Sequence, residues 1–295
     1  MIKKCGFVAL AGRPNAGKST FLNEILKEKI SIVSDKPQTT RSRNLGIYHA
    51  ENVQIGFLDL PGIHKPKYKM NRMMMRTVNQ GLDEADLVLH FIDISAPLGS
   101  GDRFVHEFIA QKDVPVIIVL NKFDLVNRAK SIPIIDRFYK ELQPKEIVPI
   151  SSLNGENIDN LMSVISGYLP EGEPIFKDDE ITNQPLRFMA QEFIREKLLH
   201  QTRDEIPHAI AVTVASWEET DDHCHIEAYI YVEKDTQRRI ILGANGQLIK
   251  KVRHGARRSL KKLLEKSVDL DLFIRVKEKW RDTDNVSTEM GVSFD

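Results

Sequence analysis

A mostly parallel sheet with helices on both faces, followed by a smaller α+β domain, is the fold that this 295-residue sequence predicts. Continuous apolar runs alternate with helical patterns in the first part of the chain and predict the sheet, because strands buried on both faces carry apolar residues throughout. After about residue 181 the runs change to an apolar–polar alternation, which is typical of half-buried strands. The length accommodates two domains.

The predicted strands of the first domain alternate with predicted helices. The strands cover residues 7–11, 53–60, 87–94, 115–120 and 147–150, with helices between them, for example over 102–111 and 158–168. Beyond them the predicted order is α-β-β-α-α-β, over 185–203, 209–217, 225–232, 235–242, 247–266 and 268–276. We therefore predict a first domain over 1–170, a linker over 171–184, a second domain over 185–281 and an acidic tail over 282–295.

The composition is that of an ordinary globular protein. Hydrophobic residues make up 41% of the chain, which excludes a disordered or collagen-like protein. Cys5 and Cys224 stand far apart and outside any Cys-x-x-Cys pattern, so we expect reduced thiols in a cytoplasmic protein rather than a disulfide scaffold. The apolar run at 7–11 is too short for a signal peptide, and no run approaches the ~18 apolar residues that span a bilayer.

Charge is distributed unevenly along a chain that is neutral as a whole, with 42 basic and 42 acidic residues. Residues 182–237 carry 5 basic and 11 acidic side chains, whereas residues 238–281 carry 14 and 4. A strongly basic block attracts polyanions. Nucleic acid is therefore the expected partner of the second domain.

The segment at 12–19 fits the phosphate-binding pattern G-x-x-x-x-G-K-[S/T] between a predicted strand and a predicted helix. Its glycines let backbone amides converge on a phosphate at a helix N-terminus. Lys18 then reaches the β- and γ-phosphates, and the hydroxyl of Ser19 is a ligand for Mg²⁺. The predicted nucleotide contacts in this segment are Gly12, Arg13, Pro14, Asn15, Ala16, Gly17, Lys18, Ser19 and Thr20.

Two further motifs predict which base is bound. The run N-K-F-D at 121–124 matches the pattern N-K-x-D after a predicted strand, and S-S-L at 151–153 follows the next strand. The carboxylate of Asp124 can accept two hydrogen bonds from guanine, at N1–H and the 2-amino group, whereas adenine would leave it unpaired. The predicted ligand is therefore GTP, with base contacts from Asn121, Lys122, Asp124, Ser151, Ser152 and Leu153.

Two segments between these motifs complete the predicted metal site. The run D-L-P-G at 59–62 ends a predicted strand and places the Asp59 carboxylate beside the metal and the Gly62 amide near the γ-phosphate. The loop P-Q-T-T-R at 37–41 offers a threonine that joins the Mg²⁺ shell when a γ-phosphate is present; we favour Thr40, with Thr39 as the alternative. The predicted Mg²⁺ ligands are Ser19, Thr40 and Asp59, and the predicted catalytic residues of this P-loop GTPase domain are Lys18, Thr40, Asp59 and Gly62.

The P-x-T-T-R loop, Asn15 in the phosphate loop and the α-β-β-α-α-β second domain together resemble the Era family of bacterial ribosome-assembly GTPases, over essentially the whole chain. The resemblance implies a GTPase that uses Mg²⁺, binds 16S ribosomal RNA near its 3′ end and assists assembly of the 30S subunit. It also implies a cytoplasmic protein that associates in part, as a peripheral protein, with the inner face of the cell membrane.

Two positions near the phosphates refine what the resemblance implies. Ile63 stands where Ras-like GTPases carry a water-orienting Gln, which agrees with a slow intrinsic hydrolysis. In related GTPases the residue that matches Asn15 helps to hold K⁺. Here Asn15 is either such a K⁺ ligand or a simple cap of the loop.

The resemblance further implies that the second domain is a type II KH domain, which clamps about four nucleotides at a G-x-x-G turn. The turn here is G-A-N-G at 243–246, with Ala244 where related proteins often place Lys. The following helix carries a broad basic side, which is either a solvated surface or part of the RNA site. We predict RNA contacts from Gly243, Ala244, Asn245, Gly246, Lys250, Lys251, Arg253, Arg257, Arg258 and Lys261.

Two other functions stay open at this point. One is a constitutive RNA-binding module with a vestigial GTPase, and the other is a tRNA-modification or membrane-associated GTPase built on the same nucleotide domain. Measured turnover tests the first alternative, and a lipid flotation assay tests the membrane version of the second.

Overall fold

The computed structural model describes residues 3–66, 68–127, 131–142 and 144–282. Its contacts divide the chain into two compact units, one made of 1–31, 40–66 and 74–183, the other of 32–39, 67–73 and 184–295. The predicted acidic tail, apart from Asp282, lies outside the described residues. Among the helices that are described, none is both long and apolar enough to cross a membrane.

The first unit is built on a mostly parallel sheet, as predicted. Its described strands are β1 (Lys3–Gly12), β2 (Asn44–Ala50), β3 (Val53–Asp59), β4 (Leu87–Asp93), β5 (Val116–Asn121), β6 (Glu146–Pro149) and the short β7 (Glu171–Gly172). Their order is β2-β3-β1-β4-β5-β6, with β7 paired to β1. Only β2 and β7 run antiparallel to their neighbours among these strands.

Helices cover both faces of this sheet, and the described ones are α1 (Lys18–Leu26), α2 (Lys69–Asp83), α3 (Ser100–Ala110), α4 (Ser131–Leu142) and α5 (Ile158–Tyr168). Alternate residues of β1 enter different cores. Val8 and Leu10 belong to the core that contains Phe21 of α1, whereas Ala9 and Ala11 belong to the one that contains Val105 of α3. Because both faces are buried, the strands are continuously apolar, and ligands can enter at the carboxyl ends of the strands where the strand order reverses.

Residues 171–182, predicted as part of a linker, lie along the sheet of the first unit; we call them the edge strap. Ile47 of β2 donates its amide to the carbonyl of Ile181 at 2.8 Å, and the Thr182 hydroxyl donates to the Leu45 carbonyl at 2.6 Å. The side chain of Gln54 accepts from the amides of Ile175 and Phe176 at 2.6 and 2.9 Å. The edge strap is thus built into the first unit, and the predicted boundary at residue 170 stays a prediction.

The second unit has the predicted α-β-β-α-α-β order: α6 (Leu186–Gln201), β8 (Ala211–Glu219), β9 (His223–Val232), α7 (Asp235–Leu242), α8 (Gln247–Leu264) and β10 (Ser267–Val276). The central strand β9 pairs antiparallel with β8 and parallel with β10. Alternate residues of β9 from Cys224 to Val232 are buried, while those between them are partly exposed. The helices therefore cover one face of the sheet, and charged and aromatic side chains occupy the other.

Candidate nucleotide site and nucleic-acid interface

The phosphate loop connects β1 to α1 and contacts the N-K-F-D segment directly. Gly17 has a left-handed backbone, with φ of 96°, and a Cβ there would lie 1.9 Å from Nδ2 of Asn121. The same Asn121 Nδ2 donates to the carbonyl of Ala16 at 2.8 Å. Only glycine fits at position 17, and the close approach fixes the two segments against each other.

Lys18 is buried at the start of α1, and its Nζ donates to the carbonyl of Arg13 at 3.2 Å. Burial lowers the pKa of Lys18, while the nearby Asp59 opposes that shift. A phosphate chain bound in the loop would offset the cost of burying this ammonium, since its Nζ lies at the carbonyl of Arg13 in the loop. Arg13 instead pairs with Asp102 of α3 at 3.0 Å, an ion pair that the motif did not predict.

Three oxygen-bearing side chains meet beside Lys18. The hydroxyl of Ser19 donates to Oδ2 of Asp59 at 2.7 Å and lies 3.0 Å from the Thr40 hydroxyl. Asp59 is fully buried; burial raises its pKa against the effect of Lys18, and none of the described residues hydrogen-bonds its Oδ1. Hard oxygen ligands with a free buried carboxylate oxygen fit Mg²⁺.

The structure distinguishes the two candidate threonines. The Thr39 hydroxyl donates to the Lys36 carbonyl at 2.7 Å, whereas the Thr40 hydroxyl lies at the oxygen cluster. Thr40 is therefore the threonine placed to reach a metal bound by Ser19 and Asp59.

Gly62 and Ile63 follow β3 and lie against the phosphate loop. The amide of Ile63 donates to the carbonyl of Gly12 at 3.0 Å. The Ile63 side chain is buried in the core beside Leu60 and Val78. This position therefore packs the loop against the sheet, and its side chain carries no group that could orient water.

Hydrogen bonds join the two segments that are predicted to bind the base. The amide of Ser152 donates to Oδ1 of Asn121 at 2.9 Å, and the Ser151 hydroxyl donates to Asp124 at 2.6 Å. This leaves the second oxygen of Asp124 and its remaining lone pairs for a base. Leu153, in contrast, is 75% exposed at the rim.

Asp93, at the end of β4, was not predicted as part of the site. Its Oδ2 lies 2.5 Å from Nζ of Lys122. Partial burial pushes the pKa of Asp93 upward, but the hydrogen bonds from Lys122 and Ser95 outweigh it and hold that pKa below its ordinary value. The carboxylate fixes the lysine of the N-K-x-D motif, and its position at a strand end was the only signal available in the sequence.

The G-A-N-G turn lies between α7 and α8 in the second unit. Asn245 and Gly246 both have left-handed backbones, with φ of 51° and 72°, and α8 begins at the next residue. Apart from Gly246 itself and its two chain neighbours, no heavy atom of the described residues lies within 4 Å of a Cβ built at this position. The turn is therefore open where a nucleic-acid backbone would pass.

The predicted RNA contacts on α8 fall on two surfaces. Lys250, Arg253 and Arg257 line a hollow of about 720 Å³ against β9 and β10. Lys251 and Arg258 line a second hollow of about 510 Å³, together with Lys197 of α6. Lys250 contributes to both, and Lys261 is exposed nearer the end of α8.

Carboxylates on β10 face the arginines of the first hollow, and they were not among the predicted site residues. Arg257 Nη2 lies 3.3 Å from Oδ1 of Asp269, and Arg253 Nη1 lies 3.7 Å from Oδ1 of Asp271. His225 contacts Asp271 at 3.1 Å, and this hydrogen bond raises the pKa of the histidine. The alternation of Asp269 and Asp271 on one strand was the signal that could have found them.

Comparison with known proteins covers both units. A family model described as 50S ribosome-binding GTPase matches residues 7–122, and one described as KH domain matches residues 205–281. GTPase Era of Staphylococcus haemolyticus strain JCSC1435 is 43% identical over 289 residues, which are 98% of this chain and 97% of that protein.

Two solved structures resemble the whole chain. One is Era in complex with MgGDPNP and nucleotides 1506–1542 of 16S ribosomal RNA, with a TM-score of 0.95, 40% identity and 99% of both chains covered. The other is a single-residue variant of Aquifex aeolicus Era bound to GDP·AlF4⁻, with a TM-score of 0.95, 39% identity, and 98% of this chain and 99% of that chain covered. An identity this high over almost the full length, together with the ordered nucleotide motifs and the KH domain, establishes that the chain belongs to the Era family of GTPases.

Proposed function

We propose that this protein is a GTP-hydrolysing switch that binds 16S ribosomal RNA near its 3′ end and assists maturation of the 30S subunit. The observation that carries the nucleotide part is the buried oxygen cluster of Ser19, Thr40 and Asp59 beside Lys18. The RNA part is supported by the open G-A-N-G turn, the basic helix α8 and the likeness to Era solved with nucleotides 1506–1542 of 16S ribosomal RNA.

In this proposal Ser19, Thr40 and Asp59 hold Mg²⁺, which neutralises charge on the β- and γ-phosphate oxygens when bound. Lys18 binds the same phosphates, and the Gly62 amide contacts the γ-phosphate. Thr40 links the metal to the loop at 37–41, so loss of the γ-phosphate would release that loop. Asp124 reads guanine, with Asn121, Lys122, Ser151, Ser152 and Leu153 forming the rest of the base site.

We further propose that Asn15 helps to hold K⁺ at the phosphates. Its left-handed backbone, with φ of 63°, and its exposure at the tip of the phosphate loop support this role. Turnover should then fall when KCl is replaced by NaCl, and Asn15→Ala should remove the difference between the two salts. An unchanged salt preference in the variant would reduce Asn15 to a cap of the loop.

The two activities are proposed to reside in the domains predicted from the sequence, a GTPase domain over 1–170 and an RNA-binding domain over 185–281. Gly243 to Gly246 form the clamp in this proposal, and Lys250, Arg253 and Arg257 extend it along α8. Lys251, Arg258 and Lys261 bind phosphates on the other side of the helix.

Phosphate release and RNA binding by the full chain test the proposal together. We expect Mg²⁺-dependent release from GTP and none from ATP, and tighter binding to the 3′-terminal segment of 16S ribosomal RNA than to an unrelated RNA of equal length. Absence of turnover with intact RNA binding would favour a constitutive RNA-binding module. Turnover without any preference for this RNA would contradict the ribosomal part.

For location, we propose the cytoplasm, with a fraction held peripherally at the inner face of the cell membrane. The two buried, unpaired cysteines, Cys5 and Cys224, agree with a reducing compartment. Cell fractionation tests the location, and flotation with vesicles of phosphatidylglycerol and phosphatidylethanolamine tests the membrane fraction. The membrane part would be contradicted if all the protein stayed in the soluble fraction of the cells and in the bottom fraction of the flotation gradient.

A further inference from the structure

The segment at 32–39 leads into Thr40 and belongs to the second unit by its contacts. It contacts α6, the first helix of that unit. Near the start of the segment, the amide of Val33 donates to a carboxylate oxygen of Glu196 at 3.2 Å. The carbonyl of Val33 lies 2.9 Å from Nε2 of His200. Helix α6 therefore holds one end of the segment by its backbone.

Arg195 of α6 holds the other end. Its Nη2 donates to the carbonyl of Thr39, and its side chain is only 4% exposed. The Thr39 hydroxyl donates to the carbonyl of Lys36 at 2.7 Å, and Gln38 has a left-handed backbone, with φ of 62°. Thr39 thus closes a tight turn with its hydroxyl and is bound by a buried guanidinium at its carbonyl. Its backbone is left with little freedom.

The guanidinium of Arg195 is itself held in place. Its Nε and Nη2 donate to the two carboxylate oxygens of Glu192, one turn earlier on α6, at 2.7 and 2.6 Å. Two bonds from a planar fork to one carboxylate fix the orientation of the fork as well as its position. Both side chains are largely buried, which strengthens these bonds. The donor that meets Thr39 is therefore positioned before any ligand binds.

The peptide group between Thr39 and Thr40 carries this constraint to the metal site. A peptide group is planar, so a fixed Thr39 carbonyl also fixes the plane that contains the nitrogen and Cα of Thr40. A β-branched side chain has few rotamers at χ1. The Thr40 hydroxyl lies 3.0 Å from the Ser19 hydroxyl, in the oxygen cluster. The hydrogen bond from Arg195 therefore limits where the Thr40 hydroxyl can stand.

We propose that Arg195 is a positioning residue for the metal site: by holding the Thr39 carbonyl, it presents the Thr40 hydroxyl to Mg²⁺. The inference rests on the proposed role of Thr40 as a Mg²⁺ ligand and adds to it a residue 156 positions further along the chain than Thr39. A ligand residue that is ordered in advance spares the metal the entropic cost of ordering the loop. Loss of the γ-phosphate would release Thr40 from the metal, while Thr39 stays tied to α6.

The test compares the Mg²⁺ requirement for binding of GDP and of the non-hydrolysable analogue GDPNP by the full chain, using fluorescent derivatives of both. Thr40 joins the metal only when a γ-phosphate is present, so a loss of its positioning should affect GDPNP alone. Arg195→Met removes the donors and fills much of the same space. It should raise the Mg²⁺ concentration for half-maximal GDPNP binding about tenfold, and lower GTP turnover about tenfold, as removal of a residue that orients a metal ligand does.

Arg195→Lys is the rescue variant, because its ammonium retains a donor for the Thr39 carbonyl. It should recover most of the wild-type Mg²⁺ affinity in the GDPNP state. Arg187→Ala, at an exposed position on the same helix, is the matched control and should behave like the wild type with both nucleotides. A packing defect would affect the Met and Lys variants alike, and GDP as much as GDPNP. That result would overturn the inference.

Thr40→Ala separates this inference from the function on which it rests. It should raise the Mg²⁺ requirement for GDPNP by itself, and adding Arg195→Met should have no further effect, because Arg195 acts through Thr40. If the two effects add in the double variant, or if only Thr40→Ala has an effect, the positioning role of Arg195 is overturned. If Thr40→Ala changes nothing, the proposed metal role of Thr40 is itself contradicted, and the inference with it.

Discussion

The nucleotide site of the first unit and the hollow of the second unit both carry paired charges, but they expose them very differently. Lys18 and Asp59 are 5% and 0% exposed, whereas the side chains of Arg253 and Asp271 are 51% and 48% exposed. A small ligand of fixed shape can be enclosed by buried groups that are positioned in advance. A polymer cannot be enclosed and needs an open groove. The groups that contact it therefore stay exposed to water, where each ion pair contributes little binding free energy.

This difference predicts how each region responds to substitution. Removal of one group from the buried site leaves its partner charged and desolvated, which costs several kcal/mol. Removal of one group from the hollow leaves its partner in water, so each substitution should reduce RNA affinity only moderately. The substitutions below test the comparison, from the largest expected effect to the smallest.

Lys18→Ala should have the largest effect. It removes the buried ammonium at the phosphates, so GTP turnover should fall about 100-fold or more. Phosphate release under saturating GTP measures it. Lys27→Ala is the control, because Lys27 caps the same helix and is largely exposed, and its turnover should match the wild type. Equal turnover of both variants would show that Lys18 is not at the phosphates.

Asp124→Asn should weaken GTP binding by roughly 100-fold and strengthen binding of xanthosine triphosphate, because the amide can pair with the xanthine carbonyl where the carboxylate would be repelled. Titration of the protein with GTP and with xanthosine triphosphate measures both changes in affinity. Asp159→Asn, at an exposed position in the first turn of α5, should change neither affinity. Unchanged GTP affinity in Asp124→Asn would mean that another group reads the base.

Gly246→Asp should reduce RNA affinity by about 30-fold while the second unit stays folded. Open space surrounds this position among the described residues, and Asp tolerates the left-handed backbone. Gly246→Asn has the same shape without the charge, so it separates repulsion from crowding and should lose less affinity. Circular dichroism checks the fold. Wild-type affinity in both variants would show that the turn does not meet the RNA backbone.

His90 extends the comparison to acid stability. This histidine is buried in β4, its ring lies 5.8 Å from that of His106, and burial lowers its pKa from 6.5 to about 3. Because the unfolded chain binds a proton more readily, stability is lost as the pH falls below about 6.5 towards 3. At pH 5 the loss is about 2 kcal/mol.

Urea unfolding at pH 7.5 and pH 5.0 measures this loss. His90→Asn cannot titrate, so its free energy of unfolding should fall less between the two pH values, by about 2 kcal/mol. His225 serves as the control from the exposed region. His225→Asn should lose at least as much stability as the wild type, because the raised pKa of His225 stabilises the folded chain as the pH falls. An equal loss in the His90 and His225 variants would contradict the role of His90.

Arg257→Ala should have the smallest effect, because Arg257 is exposed and already paired with Asp269. The slope of log K against log salt should decrease in magnitude by at most about 0.7, the contribution of one phosphate on single-stranded RNA. Arg258→Ala reports on the other hollow. If the salt slope changes in Arg258→Ala but not in Arg257→Ala, the RNA binds on the side of Lys197 rather than against β10.

The sequence alone predicted which segments come together at the candidate nucleotide site, because these segments are short and contiguous. Each segment follows a strand of a parallel sheet, and such strand ends meet at one edge. The ion pairs of Arg13 with Asp102 and of Lys122 with Asp93 could not be predicted, since they join residues far apart in the chain. The predicted order of helices and strands in the second unit was confirmed, because buried and exposed positions alternate along β9 and the first part of β10.

Other features were missed for physical reasons that the structure makes plain. The strand β2 contains a glycine and two polar residues and borders a polar loop, so it lacked the continuous apolar run of its neighbours. The carboxylates of the hollow were hidden inside a block with a net charge of +10, because a sum of charges says nothing about which faces carry them. Composition predicts a linker at 171–184 but says nothing of the hydrogen bonds that the amides of Ile175 and Phe176 donate to the Gln54 side chain.

The edge strap also bears on how the protein is made and handled. Its backbone and side-chain hydrogen bonds cover one side of β2, whose unpaired amides and carbonyls would otherwise invite pairing with another chain. During synthesis, the edge of β2 is therefore covered only after about residue 182 has emerged from the ribosome. A fragment that ends at residue 170 lacks the edge strap and should aggregate. A fragment that ends at residue 183 contains it and should stay monomeric.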